Sequence, residues 1–302
     1  MKKFSLFVGD NPFHGISHLS QQKARERTLE QSQKSTQQAT RIVEQAIECG
    51  AEGFMFSVDE ITLSIIRQLQ KSSNASQVRL YAIAPYAYEY VRRATQTGGV
   101  SGLAMNLAKE MVFSSNAKVL ATNIGGLARF NLSAVLKTYV AYELSRIKTA
   151  SANSNNNLKL EAFMLHEIIT DMALALNMEQ LFRGYIDFLE RRHIRPGFET
   201  RNFSILVDKF RSWDIDLSRL TLTASFNKVG FQMCPTKQQC EEALKHTSDA
   251  EVIAMSVLAA GYLKPAQAAD YLANLEGLSG AVIGVSKEQQ AAETFQIFRE
   301  GH

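Results

Sequence analysis

The 302-residue chain has only three cysteines, Cys49, Cys234 and Cys240. They are too few and too irregularly spaced for a disulfide framework or a zinc knuckle, and they suit a reduced, cytoplasmic setting. No apolar run approaches the ~18 residues a membrane span needs. The two lysines after Met1 look like the start of a signal peptide, but the apolar stretch behind them ends after five residues at Gly9 and Asp10, so it reads as a first strand. Lys and Arg are scattered, the net charge is +3, and no basic run is interleaved with aromatics. That leaves no footprint for nucleic acid or an acidic membrane surface. A GxGxxG fingerprint, which a doubly wound dinucleotide fold would carry after an early strand, is also missing. A small-molecule partner is the expectation, with homo-oligomerisation left open.

What is present is a repeated grammar. Hydrophobic residues make up 45% of the chain and charged residues 21%, enough for a sizeable core in one domain spanning 1–302. In STQQATRIVEQAIECGAEGFMFSVDE, Ala39, Ile42, Val43, Ala46 and Ile47 fall at helical spacing, Gly50 stops the helix, and a buried strand follows. The same helix-to-strand handover recurs near residues 178–202, 235–256 and 264–286. Alternation of this kind predicts parallel strands joined by helical crossovers. Strand candidates are Phe4–Val8, Phe54–Val58, Leu80–Ala84, Val119–Thr122, Leu158–His166, Gly197–Arg201, Leu220–Asn227, Val252–Met255 and Ala281–Gly284. The expected fold is α/β, a (β/α)8 TIM barrel, with an elaborated helical crossover around residues 86–156 that contains the surplus strand candidate.

Barrel chemistry sits where strands end, because the βα loops line the C-terminal mouth. The stretch LFVGDNPFHG brings Asp10, Asn11 and His14 behind the first strand, and FSVDE brings Asp59. FMLHEIITD ends an apolar run with His166 and Glu167, suited to acid/base work near neutral pH; the plainer reading is a core histidine beside a helix-capping carboxylate. In PGFETRNF, alternation sends Glu199 and Arg201 to one face, so the carboxylate can hold the guanidinium toward an anion, with Asn202 beside them. TASFNKVG places Asn227 and Lys228 at another strand end. A desolvated amine there attacks a carbonyl to give a Schiff base, and a solvated one neutralises an enolate or a substrate anion.

The last loops suggest an anion site. In GVSKEQQAAETF, Ser286 is expected as the N-cap with Gln289 completing a capping box, between Gly284 and Lys287. Amides at a helix start favour phosphate. MSVLAAGYLKP supplies a partner loop in which Ala259, Ala260 and Gly261 permit close backbone approach. His14, Asp10, Asp59, His166 and Glu199 form a mixed nitrogen and oxygen set of the kind that suits zinc, manganese or iron. No HxH or HExxH spacing accompanies them, so no metal ligand is assigned.

Over about residues 195–296 the chain resembles the aldo/keto reductase superfamily. ETRNFS is similar to that family's strand-end Ser-Asn-Phe segment, VIAMSVLAAGYL to its Ser-Pro-Leu segment, and AVIGVSKEQQAAETF to its last strand and phosphate-binding helix start. The resemblance implies a (β/α)8 barrel and NADP(H). Of the family's Asp, Tyr, Lys and His tetrad it offers counterparts only in Asp59 and His166. ITLSI lacks the tyrosine, LYAIAPY ends without the lysine, and Met255 stands where an aromatic often stacks on nicotinamide. The opening GDNPFHGISHLS also resembles uncharacterised barrel proteins.

These readings predict an enzyme acting on a small anionic, phosphorylated carbonyl or sugar-like metabolite, by aldol cleavage or isomerisation. His14, Asp59, His166, Glu199 and Lys228 are the catalytic candidates. Asp10, Asn11, Glu167, Arg201, Asn202 and Asn227 are expected at the substrate, and Gly261, Gly284, Ser286 and Lys287 at a phosphate or cofactor. An NADP(H)-dependent reductase, a metal-assisted hydrolase and a non-catalytic ligand-binding barrel are the alternatives, so NADP and a divalent metal stay open as cofactors.

Overall fold

The computed structural model describes residues 4–14, 36–72, 78–85, 132–152, 158–247 and 249–301. Eight parallel strands pair in sequence order and close into a barrel. They are β1 (Ser5–Gly9), β2 (Gly53–Ser57), β3 (Arg79–Ala84), β4 (Lys159–Leu165), β5 (Arg195–Thr200), β6 (Thr221–Ser225), β7 (Glu251–Met255) and β8 (Gly280–Gly284). Closure is made by β1 on β8, in register from Ser5 opposite Gly280 to Gly9 opposite Gly284. Each is a strand candidate of the sequence, displaced by at most two residues. The ninth candidate, Val119–Thr122, lies outside the described residues, and the barrel closes without it.

The helices that cover the strands are α1 (Thr36–Glu48), α2 (Glu60–Leu69), α3 (Leu132–Ser151), α4 (Glu167–Ala175), α5 (Glu179–Glu190), α6 (Phe203–Ser212), α7 (Lys237–Lys245), α8 (Pro265–Ala273) and α9 (Glu288–Glu300). Of the expected crossover at 86–156, the structure describes α3, which packs on α2 and α5; 86–131 and 153–157 lie outside the described residues. Gln70 Nε2 donates to Ala150 O at 2.7 Å, tying the end of α2 to the end of α3.

Side-chain alternation divides the core into two shells. Outward residues such as Phe54, Phe56, Phe163, Phe198 and Leu222 meet the helices, while Phe7, Met55, Tyr81, Ile83, Ala162, Met164 and Ile253 fill the barrel. Fully burying one such side chain is worth about 1.5–3 kcal/mol. The lone Trp213 packs on Phe182 and Phe210, as a helix-packing residue should.

Below this plug the N-terminal end is polar and closed. Arg79 Nη2 donates to Glu52 Oε2 at 2.8 Å and to Ser5 Oγ at 2.9 Å. Glu251 accepts from Tyr81 OH at 2.8 Å and from Thr221 Oγ1 at 2.6 Å, with Arg195 Nε 3.5 Å away. Among the described residues, no helix is long and apolar enough to cross a membrane.

Candidate active site

Strand ends β1, β2, β4 and β5 bring two titratable clusters to one mouth. Behind β1, residues Asn11–His14 form a single 3-10 turn that folds His14 back over Asp10. His14 Nε2 donates to Asp10 Oδ2 at 3.0 Å, and Nδ1 to Asp59 Oδ2 at 3.1 Å. Asp10 is also fixed by the Ser57 backbone N–H at 2.7 Å, and Asp59 caps α2 by accepting from Thr62 N at 2.9 Å. Burial alone would lower the His14 pKa, but the two carboxylates outweigh it and raise it to about 10. Asp59 is lowered, because its bonds to His14 and Thr62 outweigh its own desolvation. The two carboxylates thus favour the imidazolium form of His14.

The second cluster has the opposite electrostatics. His166 is the N-cap of α4, its Nδ1 accepting from Ile168 N at 3.2 Å. That bond leaves the proton of the neutral ring on Nε2, which stands 3.9 Å from Glu199 Oε2. Desolvation is the leading cause for both groups: it lowers His166 and, reinforced by the charge of Glu167, raises Glu199 to about 8. Asp10 acts on both charges, so the two clusters share the mouth.

The expected grip of Glu199 on Arg201 is not what forms. β5 ends at Thr200, alternation lapses there, and Arg201 instead makes a two-pronged pair with Glu167, Nε to Oε2 at 2.8 Å and Nη2 to Oε1 at 2.5 Å. Glu199 accepts from the Glu167 backbone N–H at 3.2 Å. Asp171, absent from the sequence-based set, accepts from Thr200 Oγ1, from Arg201 N at 3.2 Å and from the side chain of Asn202. Burial raises its pKa. Its position four residues after Glu167, on the same face of α4, was the available signal.

The remaining candidates are distributed differently from expectation. Lys228 is exposed, so the desolvation that a Schiff-base amine requires is not provided. Asn227 is buried but pins its own loop, exchanging two 2.8 Å bonds with the Phe231 backbone. Asn11 is exposed.

Ser286 is not the cap of α9. The helix starts at Glu288 with Lys287 as its N-cap, one residue later than the pattern predicts, and Gln290 reaches back to accept from Ser286 N and Oγ at 3.0 and 3.2 Å. Gln289 donates to Glu293 instead. Lys287 and Gly284 are exposed, and Pro12 lies over Gly284. Gly261 has φ +88° and open space beside it, so backbone conformation, not close approach, is what requires glycine there.

The described residues do not assemble the reductase chemistry that the resemblance implies. Asp59 is committed to His14 and to the α2 cap, and β3 ends at Ala84 with no lysine. The inward tyrosine, Tyr81, gives its hydroxyl to Glu251 at the far end, and burial moves its pKa up. Among the described residues no three His, Cys, Asp or Glu side chains group as a metal site.

The class defined by this fold is a (β/α)8 barrel with titratable groups at its C-terminal mouth. No protein-family model matches the chain, and no curated protein matches it. Among solved structures it is similar to an aldo-keto reductase of Bacillus halodurans, at 10% identity and a TM-score of 0.55, over 97% of this chain and 86% of that one. It is likewise similar to the glycerol dehydrogenase of Gluconobacter oxydans, at 10% identity and a TM-score of 0.54, over 97% and 86% of the two chains. At that identity the likeness shows a shared barrel architecture.

Proposed function

We propose that this chain is an enzyme that moves a proton beside the carbonyl of a small hydroxylated metabolite, an isomerisation or the enolate step of an aldol cleavage. The observation that carries this reading is the His166–Glu199 pair: a carboxylate of raised pKa facing a neutral imidazole 3.9 Å away. A buried carboxylate opposite a neutral imidazole is an arrangement suited to enolisation, since each group's environment sets its role. Ionised Glu199 removes the proton from the carbon next to the carbonyl, and a pKa near 8 makes it a stronger base than an ordinary carboxylate. The Nε2–H of His166 donates to the carbonyl oxygen as negative charge develops there. Protonated Glu199 then returns the proton to the neighbouring carbon, while His166 passes its Nε2 proton to the former carbonyl oxygen and regains one from the neighbouring hydroxyl, which becomes the new carbonyl and completes an isomerisation.

The surrounding groups hold this pair in place. Glu167 and Arg201 neutralise each other beside it, and the Asp10–His14–Asp59 unit fixes the loop after β1 to the start of α2. Exposed Lys228 and Lys287, on the loops after β6 and β8, put positive charge on the rim and favour an anionic, phosphorylated substrate.

The test is proton exchange in D2O with a panel of keto and aldehyde sugars and their phosphates, followed by NMR. Deuterium entering next to the carbonyl, and lost in Glu199→Gln, is the expected result. Binding without exchange across the panel would make the barrel a ligand-binding protein and overturn the proposal.

A further inference from the structure

Among the described residues, two buried side-chain polar atoms lack a hydrogen-bond partner, Arg195 Nε and Ser225 Oγ. The first faces the Glu251 carboxylate at 3.5 Å, in the closed floor. Ser225 has no such explanation. It is the last residue of β6, 2% exposed, and a hydroxyl can both donate and accept. Buried polar groups are almost always paired, so an orphan of this kind needs a reason.

Strand geometry says where the hydroxyl points. Thr223, two residues earlier, donates to Met164 Sδ at 3.0 Å, inside the barrel cluster. Alternation therefore turns Ser225 to the same inner face, one inward position nearer the mouth. Glu199 lies opposite Thr223 in the β5–β6 register, and Ser225 opposite Met255 in the β6–β7 register. The orphan hydroxyl thus belongs to the strand beside the proposed base, on the inner wall at the mouth end.

We propose that Ser225 is a substrate-positioning residue that hydrogen-bonds an oxygen of the bound metabolite, either a hydroxyl or the carbonyl itself, on the β6 side of Glu199. This rests on the enolisation reading and extends it: the substrate must carry an oxygen placed to reach the inner wall while its acidic C–H faces Glu199. A substrate carrying that oxygen gains a hydrogen bond that one lacking it does not, and this difference is how such a site discriminates. The sequence gives no hint of it, because a serine closing an apolar strand looks like any other strand residue.

Two measurements on Ser225→Ala test the assignment. The first needs no substrate: removing an unsatisfied buried hydroxyl should raise the melting temperature of the ligand-free protein, by about 1–3 °C for a chain of this size. The second uses dihydroxyacetone phosphate as probe in the D2O exchange assay. KM should rise about tenfold with kcat changed less, and Ser225→Thr, which keeps the hydroxyl, should recover part of the loss. A lower melting temperature in Ser225→Ala would mean that the hydroxyl already serves the fold, and would overturn the assignment, as would an unchanged KM. Absence of exchange by the wild-type protein would instead overturn the enolisation reading, while the melting comparison would still decide whether Ser225 is an orphan.

Discussion

His166 Nε2 stands 3.9 Å from Glu199 Oε2, and burial drives the two groups in opposite directions, the imidazole down and the carboxylic acid up to about 8. The rate should therefore rise with pH until Glu199 is ionised and level off above about pH 8. Glu199→Gln should lower kcat by about 10²–10⁴-fold, the usual worth of a positioned base, and should remove that limb of the profile. Stability has the reverse slope. The folded protein binds this proton more tightly than the unfolded chain, so the Glu199 contribution declines as pH rises from 4.5 to about 8. Urea melts across that range should show a smaller decline in Glu199→Gln.

His14 should behave as a structural cation. Its pKa is raised from 6.5 to about 10, so its contribution to stability is fully present below pH 6.5 and is lost as pH rises through about 10. Removing it leaves two buried carboxylates facing each other, at a cost of about 3–5 kcal/mol. Chemical denaturation of His14→Ala should show that loss at neutral pH, with the gap to wild type narrowing toward pH 10. A small, pH-independent effect would show that the carboxylates do not depend on its charge.

Lys228 should act from outside. Borohydride reduction in the presence of dihydroxyacetone phosphate should leave its amine unmodified, as mass spectrometry of the digested protein would show. Lys228→Ala should keep kcat and raise KM several-fold for the phosphorylated probe at low salt, an effect that shrinks once the Debye length falls below about 10 Å. Trapping of Lys228 would reinstate Schiff-base chemistry.

Barrel closure gives a fold-level prediction. A Cβ on Gly280 would meet the Ser5 carbonyl oxygen at 2.3 Å, across the β1–β8 seam, where backbone cannot swing aside as a side chain can. Gly280→Ala should destabilise by about 1–3 kcal/mol or more, seen as a lower urea midpoint. A neutral result would mean that the seam can widen at no cost.

The barrel was legible because strands buried on both faces read as continuous apolar runs, and eight runs have the length and spacing to close. The mouth was legible where a titratable residue directly ends such a run, as His166 and Glu199 do. Where the strand stops short of the apolar run, the reading slipped. β6 ends at Ser225, so Asn227 turns into its own loop and Lys228 turns outward. A one-residue delay in α9 likewise moved the reach-back from Gln289 to Gln290. Asp171 and Ser225 went unread because their importance depends on partners, or a lack of partners, that only the folded chain reveals.

The closed floor also governs traffic. Among the described residues, Phe7, Met55, Tyr81 and Met164 fill the bore and guanidinium–carboxylate pairs lie across its lower end. On the proposed function, reactant and product would share the mouth as their doorway. Accumulated product should therefore compete directly with incoming reactant, and progress curves should slow well before equilibrium is reached.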